Sequence, residues 1–296
     1  MIELEKLDFA KSVEGVEAFS TTRGQVDGRN AYSGVNLCDY VGDDALRVLD
    51  ARLTLAMQLG VDLDDLVMPR QTHSCRVAVI DERFRALDID QQEAALEGVD
   101  ALVTRLQGIV IGVNTADCVP IVLVDSQAGI VAVAHAGWRG TVGRIAKAVV
   151  EEMCRQGATV DRIQAAMGPS ICQDCFEVGD EVVEAFKQAH FNLNDIVVRN
   201  PATGKAHIDL RAANRAVLVA AGVPAANIVE SHHCSRCEHS RFFSARRLGI
   251  NSGRTFTGIY RKENNTVTED NFPVTILDTV VNGFYRVASL SWKVVA

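Results

Sequence analysis

Two periods of apolar residues share this chain. Leu46, Leu49, Leu53, Ala56 and Leu59 recur at helical spacing, with Asp43 or Asp44 available as an N-cap and Gly60 as a stop, which predicts a helix ending near Leu59. Residues 141–156 predict a second helix, with Val142, Ile145, Val149 and Met153 on one face. Further helices are expected over 180–189 and over 210–221, the latter closed by Gly222. Between them lie short apolar runs that read as strands: 101–104, 109–113, 121–124, 130–134, 163–167, 196–199 and 228–230. A turn over 114–118 and another over 125–129 would fold 109–113, 119–124 and 130–134 into an antiparallel meander. With no repeat and no long linker, the pattern predicts an α/β fold: one domain with a mixed β-sheet flanked by helices, and not a purely parallel doubly wound one.

Composition narrows the partners. A chain of 296 residues, 48% hydrophobic and 23% charged, can bury a large core without covalent staples. A net charge of −8 and a pI near 5.4 argue against general nucleic-acid affinity, which rests on a basic surface. No run of about 20 apolar residues predicts a membrane span. The start, Met1-Ile2-Glu3-Leu4-Glu5-Lys6, lacks the order of a signal peptide. A cytoplasmic protein acting on a small molecule is the expectation, with oligomeric state left open.

Chemistry concentrates at the ends of the apolar runs. Cys118 follows 109–113 and its turn, His135 closes 130–134, and His73 precedes the short run 77–80. Together they offer an N, S, N donor set with one coordination position left over, the pattern of catalytic zinc rather than of a four-ligand structural site. The meander carries Cys118 and His135 to one sheet edge, because strands of this length each cross roughly 17–20 Å. Spacing alone leaves the place of His73 open, and an inert buried Cys118 with hydrogen-bonded histidines is an equal alternative.

The segment His135-Ala136-Gly137-Trp138-Arg139-Gly140 joins a strand to a helix start, so Arg139 and the free backbone N–H groups could take an anion. Asp117, next to Cys118, is a candidate base or outer partner. Two CxxC pairs, Cys172/Cys175 and Cys234/Cys237, invite a second metal or redox centre. The second pair lies in a His- and Cys-rich stretch that lacks the H-x-E and P-C-x-x-C pairing of zinc deaminases, and ordinary loop cysteines are the favoured reading. Arg241, Arg246 and Arg247 around Phe242 and Phe243 read as a solvated or structurally paired patch.

Several ordered motifs carry a resemblance. Gln71-Thr72-His73, Ala116-Asp117-Cys118, His135 to Gly140, Gly168-Pro169 with Phe176-Glu177-Val178-Gly179, and Arg241-Phe242-Phe243-Ser244 with Arg246-Arg247 resemble the YfiH family of laccase-domain proteins. The resemblance runs from about Ser20 to about Tyr260. It implies a metal-dependent catalytic domain over 1–262, followed by an extension, 263–296, expected to pack on the same domain. It places the metal ligands on His73, Cys118 and His135; Asp117, by its position next to that ligand, and Cys118 itself are the candidate catalytic residues. Asn36, Arg52 and Gln71 join Arg139 as candidate substrate contacts.

The family's reactions imply zinc-dependent phosphorolysis of adenosine- or inosine-type nucleosides and deamination of adenosine. The alternatives are a copper-dependent polyphenol oxidase, with Met68 as an axial ligand to a His₂Cys set, a hydrolase using Cys118 as nucleophile, and a noncatalytic metal-stabilised binding module.

Overall fold

The structure is a computed structural model that describes residues 1–28 and 30–263. The expected extension over 264–296 lies outside the described residues. Strands run in chain order as β1 (Leu4–Lys6), β2 (Val16–Thr21), β3 (Leu66–Val67), β4 (Val77–Ile80), β5 (Ala101–Thr104), β6 (Val110–Thr115) and β7 (Val119–Asp125). They continue as β8 (Ile130–Ala136), β9 (Gln164–Met167), β10 (Glu177–Val178), β11 (Val197–Arg199), β12 (Ala206–Ile208), β13 (Ile228–Glu230) and β14 (Thr255–Arg261). The helices are α1 (Ala45–Leu59), α2 (Glu82–Arg85), α3 (Ile89–Leu96), α4 (Trp138–Val142), α5 (Ile145–Arg155), α6 (Asp180–Gln188), α7 (Leu193–Ile196), α8 (Leu210–Ala220) and α9 (Ala245–Leu248).

The class is mixed α/β, built on more than one sheet. Six strands join in the order β13-β9-β7-β8-β5-β4, five in the order β1-β2-β14-β6-β3, and three as β10-β12-β11. The two larger sheets stack. From the six-stranded sheet, Ile121, Leu123, Ala132 and Ala134 pack under α5 and α8 with Ile145, Val149, Met153 and Val217. The alternate residues Val122, Val124, Val131 and Val133 face Ile111, Val113 and Ile259 of the five-stranded sheet. That sheet's far side, with Val110, Phe256 and Tyr260, is closed by Leu55 of α1. Both faces of the central strands are therefore buried, which is why β6, β7 and β8 read as unbroken apolar runs instead of alternating ones.

This burial also explains where the expected meander fails. β7 and β8 do pair antiparallel, but β6 joins the other sheet, between β14 and β3. An apolar run with two buried faces carries no signal for which neighbour it pairs with, and β14, distant in sequence, takes the edge of β6. The chain crosses between sheets at Ala116–Cys118, where Asp117 adopts a φ of 90°.

The helix expected over 141–156 is likewise two helices. It starts earlier, at Trp138, and breaks at Gly143 and Arg144, where Arg144 has a φ of 66°. A Cβ on Gly143 would lie 2.4 Å from Cys75 Sγ. The Arg144 guanidinium sits 3.8 Å from the Phe191 ring centroid and donates to Ala189 O, anchoring the break. Helix α1 follows the expectation closely: Asp44 caps it by accepting from the N–H of Leu46 and Arg47, and Gly60 ends it at a φ of 71°.

Candidate metal centre

Register alone brings four loops to one edge of the six-stranded sheet. Val119 at the start of β7 pairs with Ala136 at the end of β8, and Ala134 of β8 pairs with Ala101 at the start of β5. Ala101 in turn pairs with Val77, the first residue of β4. The segments before β4, before β5 and before β7, and the last residues of β8, therefore share that edge. They carry His73, Asp100, Cys118 and His135.

The donor atoms of His73, Cys118 and His135 all lie within 4.8 Å of one another. Cys118 Sγ is 3.9 Å from His73 Nε2, and the two imidazoles meet edge to face with centroids 4.8 Å apart. His135 is buried, Cys118 half-buried and His73 exposed, so the cluster opens on its His73 side. Burial by itself would raise the Cys118 thiol, but His135 and His73 beside it bring it down to about 6. Burial also works against a charged His135, yet Cys118 and Asp100 push it up to about 9. Without a metal, the favoured pair is thiolate and imidazolium.

Asp100 organises this cluster, and nothing in the sequence reading had singled it out. Its fully buried carboxylate accepts from the backbone N–H groups of Thr72 (3.1 Å), His73 (3.0 Å) and Ser74 (2.7 Å), and from His135 Nδ1 at 2.7 Å. The bond at Nδ1 leaves His135 Nε2 as the donor atom facing the cluster. The three N–H bonds wrap residues 72–74 around the carboxylate and hold His73 at a φ of 63°. An acid beginning the buried run of β5 was the available signal, since a carboxylate is rarely buried without partners.

Gly137 completes the cradle: a Cβ there would lie 2.8 Å from His73 Cδ2 and 2.9 Å from Cys118 Sγ. The geometry suits a metal held by three side chains. The donor set is mixed and convergent, one imidazole is fixed by a carboxylate behind it, and the glycine keeps the space beside the donors free.

The other candidates have varied placements. Both carboxylate oxygens of Asp117 are engaged, Oδ1 by the Ser235 hydroxyl at 2.7 Å and Oδ2 by the Arg246 backbone N–H at 2.7 Å. Gln71 clamps the backbone of Asn114 in β6, donating to its carbonyl (2.9 Å) and accepting from its N–H (2.7 Å). Asn36 is buried, its amide used by Cys38, Asp43 and the Arg254 N–H. Arg52 bonds Leu37 O and pairs with Asp39. It lines a cavity of about 690 Å³ with Tyr40, Met68, Arg70 and Asn114, and none of the three donors is among that cavity's lining residues. Arg139 is exposed, its guanidinium 4.3 Å from the Trp138 ring centroid.

The two CxxC pairs, read as ordinary loops, in fact meet: the thiols of Cys172, Cys175, Cys234 and Cys237 lie within 4.8 Å of one another. A four-cysteine cluster of this kind suggests a metal site.

A model of the family described as multi-copper polyphenol oxidoreductase laccase matches residues 17–262. The chain belongs to this family. Over 262 residues, 88% of the chain and 100% of the relative, it is 98% identical to "Adenosine deaminase RL5" from an unknown prokaryotic organism. It is also 39% identical to a Bacteroides thetaiotaomicron purine nucleoside phosphorylase, over 84% of the chain and 92% of the relative. Among solved structures, YlmD from Geobacillus stearothermophilus superposes with a TM-score of 0.77 at 34% identity, covering 85% of this chain and 93% of that one. The Bacillus licheniformis protein YfiH gives 0.76 at 31% identity, covering 83% and 93%. The chain is thus an enzyme of the YfiH fold. No helix among the described residues is long and apolar enough to cross a membrane.

Proposed function

We propose that the chain acts on purine nucleosides at a zinc centre held by His73, Cys118 and His135, deaminating adenosine and phosphorolysing adenosine- or inosine-type nucleosides. The convergence of three donors around an open position, with Asp100 fixing one of them, carries this reading. Relatives named adenosine deaminase and purine nucleoside phosphorylase supply the substrate class. Zinc bound there would supply Lewis acidity at the open position.

The chain's own residues do the rest. Asp100 holds His135 in the tautomer that presents Nε2 and fixes the loop bearing His73. Gly137 leaves room beside the donors. Asp117, tied at both oxygens, acts as a positioning residue for Cys118 and for the Arg246 loop. Arg139, one residue beyond the Trp138 that follows Gly137, puts a cation near the rim for phosphate.

In deamination, water adds at C6 and ammonia leaves, giving inosine. In phosphorolysis, a phosphate oxygen bonds to C1′ as the purine departs, giving the free base and ribose 1-phosphate.

The copper oxidase reading is less well supported by the ligands. Reducing oxygen to water takes four electrons and several coppers. Among the described residues the metal-capable groups are the His₂Cys set and the four-cysteine set, with no cluster of further histidines. The cysteine-nucleophile reading has one observation in its favour, the Asp100, His135, Cys118 series beside a lowered thiol. Alkylation of Cys118 in metal-replete protein would support it, and protection by metal would oppose it.

The deciding experiment is chromatography of adenosine incubated with the protein, with and without phosphate, comparing zinc-loaded, copper-loaded and His73→Ala samples. Phosphate-independent inosine or phosphate-dependent adenine, lost in His73→Ala, is the expected result. Absence of both products with metal demonstrably bound would overturn the reading.

A further inference from the structure

We propose that Cys172, Cys175, Cys234 and Cys237 form a second, closed zinc site that clamps two loops together and thereby anchors the peptide carrying Cys118. Four thiolates around zinc at about 2.3 Å make a tetrahedron with sulfur–sulfur edges of about 3.8 Å. The four thiols here already lie within 4.8 Å of one another, with Cys175 and Cys237 Sγ 3.4 Å apart. Small movements would bring all four to coordinating distance, and no fifth ligand position is needed. An all-sulfur tetrahedral set selects zinc or iron over copper(II), magnesium or calcium.

The surroundings suit the charge such a site would carry. Zinc with four thiolates has a net charge of −2. Cys234 Sγ accepts from the backbone N–H groups of Cys172 (3.3 Å) and Cys237 (3.5 Å), and the Arg236 guanidinium lies 3.4 Å from Cys175 Sγ. These donors stabilise thiolate over thiol.

The loops involved have little other regular structure. Residues 170–176 and 231–238 continue from the paired ends of β9 and β13 and share one further parallel bridge, Ser170 with Cys234, reinforced by the Arg211 guanidinium donating to Ser170 Oγ and O, to Ser231 O and to His233 O. Each loop also sends one bond to Asp117 from the residue next to a cysteine. Ile171 N–H, beside Cys172, donates to Asp117 O at 2.9 Å, and the Ser235 hydroxyl, beside Cys234, donates to Asp117 Oδ1 at 2.7 Å. Asp117 precedes Cys118 and holds a φ of 90°. The four-cysteine site therefore braces the strained residue adjoining the three-donor centre from two sides.

The test is metal stoichiometry by elemental analysis of the full chain purified with zinc under reducing conditions. Wild type should hold two zinc ions, His73→Ala one, Cys237→Ser one, and the double variant none. X-ray absorption of zinc-loaded His73→Ala should show sulfur neighbours alone at about 2.3 Å. Hydrogen exchange of Cys237→Ser should lose protection in 170–176, 231–238 and 117–118 while the β7 and β8 core stays protected. Ser235→Ala, which keeps all four thiols, should retain two zinc ions yet lose protection at 117–118 alone.

A single zinc in wild type that disappears in His73→Ala would refute the proposal, as would iron in place of zinc. Disulfides among these cysteines, seen as a 2 Da mass loss per bond under non-reducing conditions, would equally refute it. Because zinc is counted, and turnover is not, failure of the purine reading leaves this result unaffected.

Discussion

Replacing Asp100 with asparagine is the sharpest probe of the three-donor centre. The carboxylate is fully buried and accepts two donors at each oxygen: His73 N–H and His135 Nδ1 at Oδ1, Thr72 and Ser74 N–H at Oδ2. An amide of the same shape must aim its NH₂ at one of these pairs. Turned toward Thr72 and Ser74, it leaves the two N–H groups that face the buried side chain without acceptors, at about 1–3 kcal/mol each. Turned the other way, it strands the His73 N–H and forces a proton from Nδ1 to Nε2 of His135, removing the donor lone pair from the cluster. Either outcome destabilises the fold by about 2–5 kcal/mol, or roughly 5–15 °C in Tm for a chain of this size. Zinc affinity should fall about 10–100-fold, the usual effect of losing a carboxylate behind a ligating histidine. Urea unfolding of metal-free protein and competition with a chromophoric chelator measure the two separately. Stability within about 0.5 kcal/mol of wild type, the range of an ordinary surface change, together with unaltered zinc affinity, would refute the role assigned to Asp100.

Other consequences are equally measurable. Gly137→Ala keeps an ordinary backbone, φ −70° and ψ 172°, but sets a methyl against His73 and Cys118, so zinc affinity and turnover should drop at least about tenfold while the urea midpoint moves little. In metal-free protein, alkylation of Cys118 followed by peptide mass mapping should rise with a midpoint near pH 6, shift toward the ordinary thiol range in His135→Ala, and be suppressed by zinc. Asp125 is buried; burial alone would raise its carboxyl, but Arg162 and the N–H groups of Thr159 and Ala128 hold it below the ordinary range. Its contribution to stability is therefore complete above about pH 4 and lost as pH falls through the lowered value. Asp125→Asn should cost about 2–3 kcal/mol at pH 7, and the difference from wild type should shrink in urea titrations below pH 4.

Local signals in the sequence were strong where the physics is local. The Asp44 cap, the Gly60 stop and the strands Ala101–Thr104 and Ile228–Glu230 were legible because caps, turns and short apolar runs are properties of a few adjacent residues. The partner of β6 was not legible, since both faces of that strand are apolar and β14 lies about 140 residues away. The break at Gly143 and Arg144 was hidden because the groups packed against it, Cys75 beside Gly143 and Phe191 beside Arg144, belong to other segments. In the candidate site, the convergence of Cys118 and His135 followed from the β7–β8 hairpin, whereas the arrival of His73 depended on two further pairings, β8 with β5 and β5 with β4. The meeting of the two CxxC pairs failed to register for the same reason: the single bridge joining their loops has no periodic pattern to reveal it.

The two strained residues of the site show how the fold supports its donors before any ion arrives. His73 and Asp117 both hold a positive φ, a conformation costing about 1–3 kcal/mol for a residue with a side chain. Residues 72–74 are held by three N–H bonds to a buried carboxylate, each worth about 1.5–3 kcal/mol, which outweighs the strain at His73 without help from a metal. Asp117 is held by its own three bonds, from Ile171, Ser235 and Arg246, but two of these come from loops joined by one bridge, the Arg211 side chain and the contacts among the four cysteines and Arg236. The His73 side of the centre is therefore self-supporting, and the Cys118 side depends on the four-cysteine loops. Stripping all metal should accordingly leave amide protection at 72–74 intact while exchange at 117–118 quickens, an asymmetry that a centre organised by its own ion would not produce.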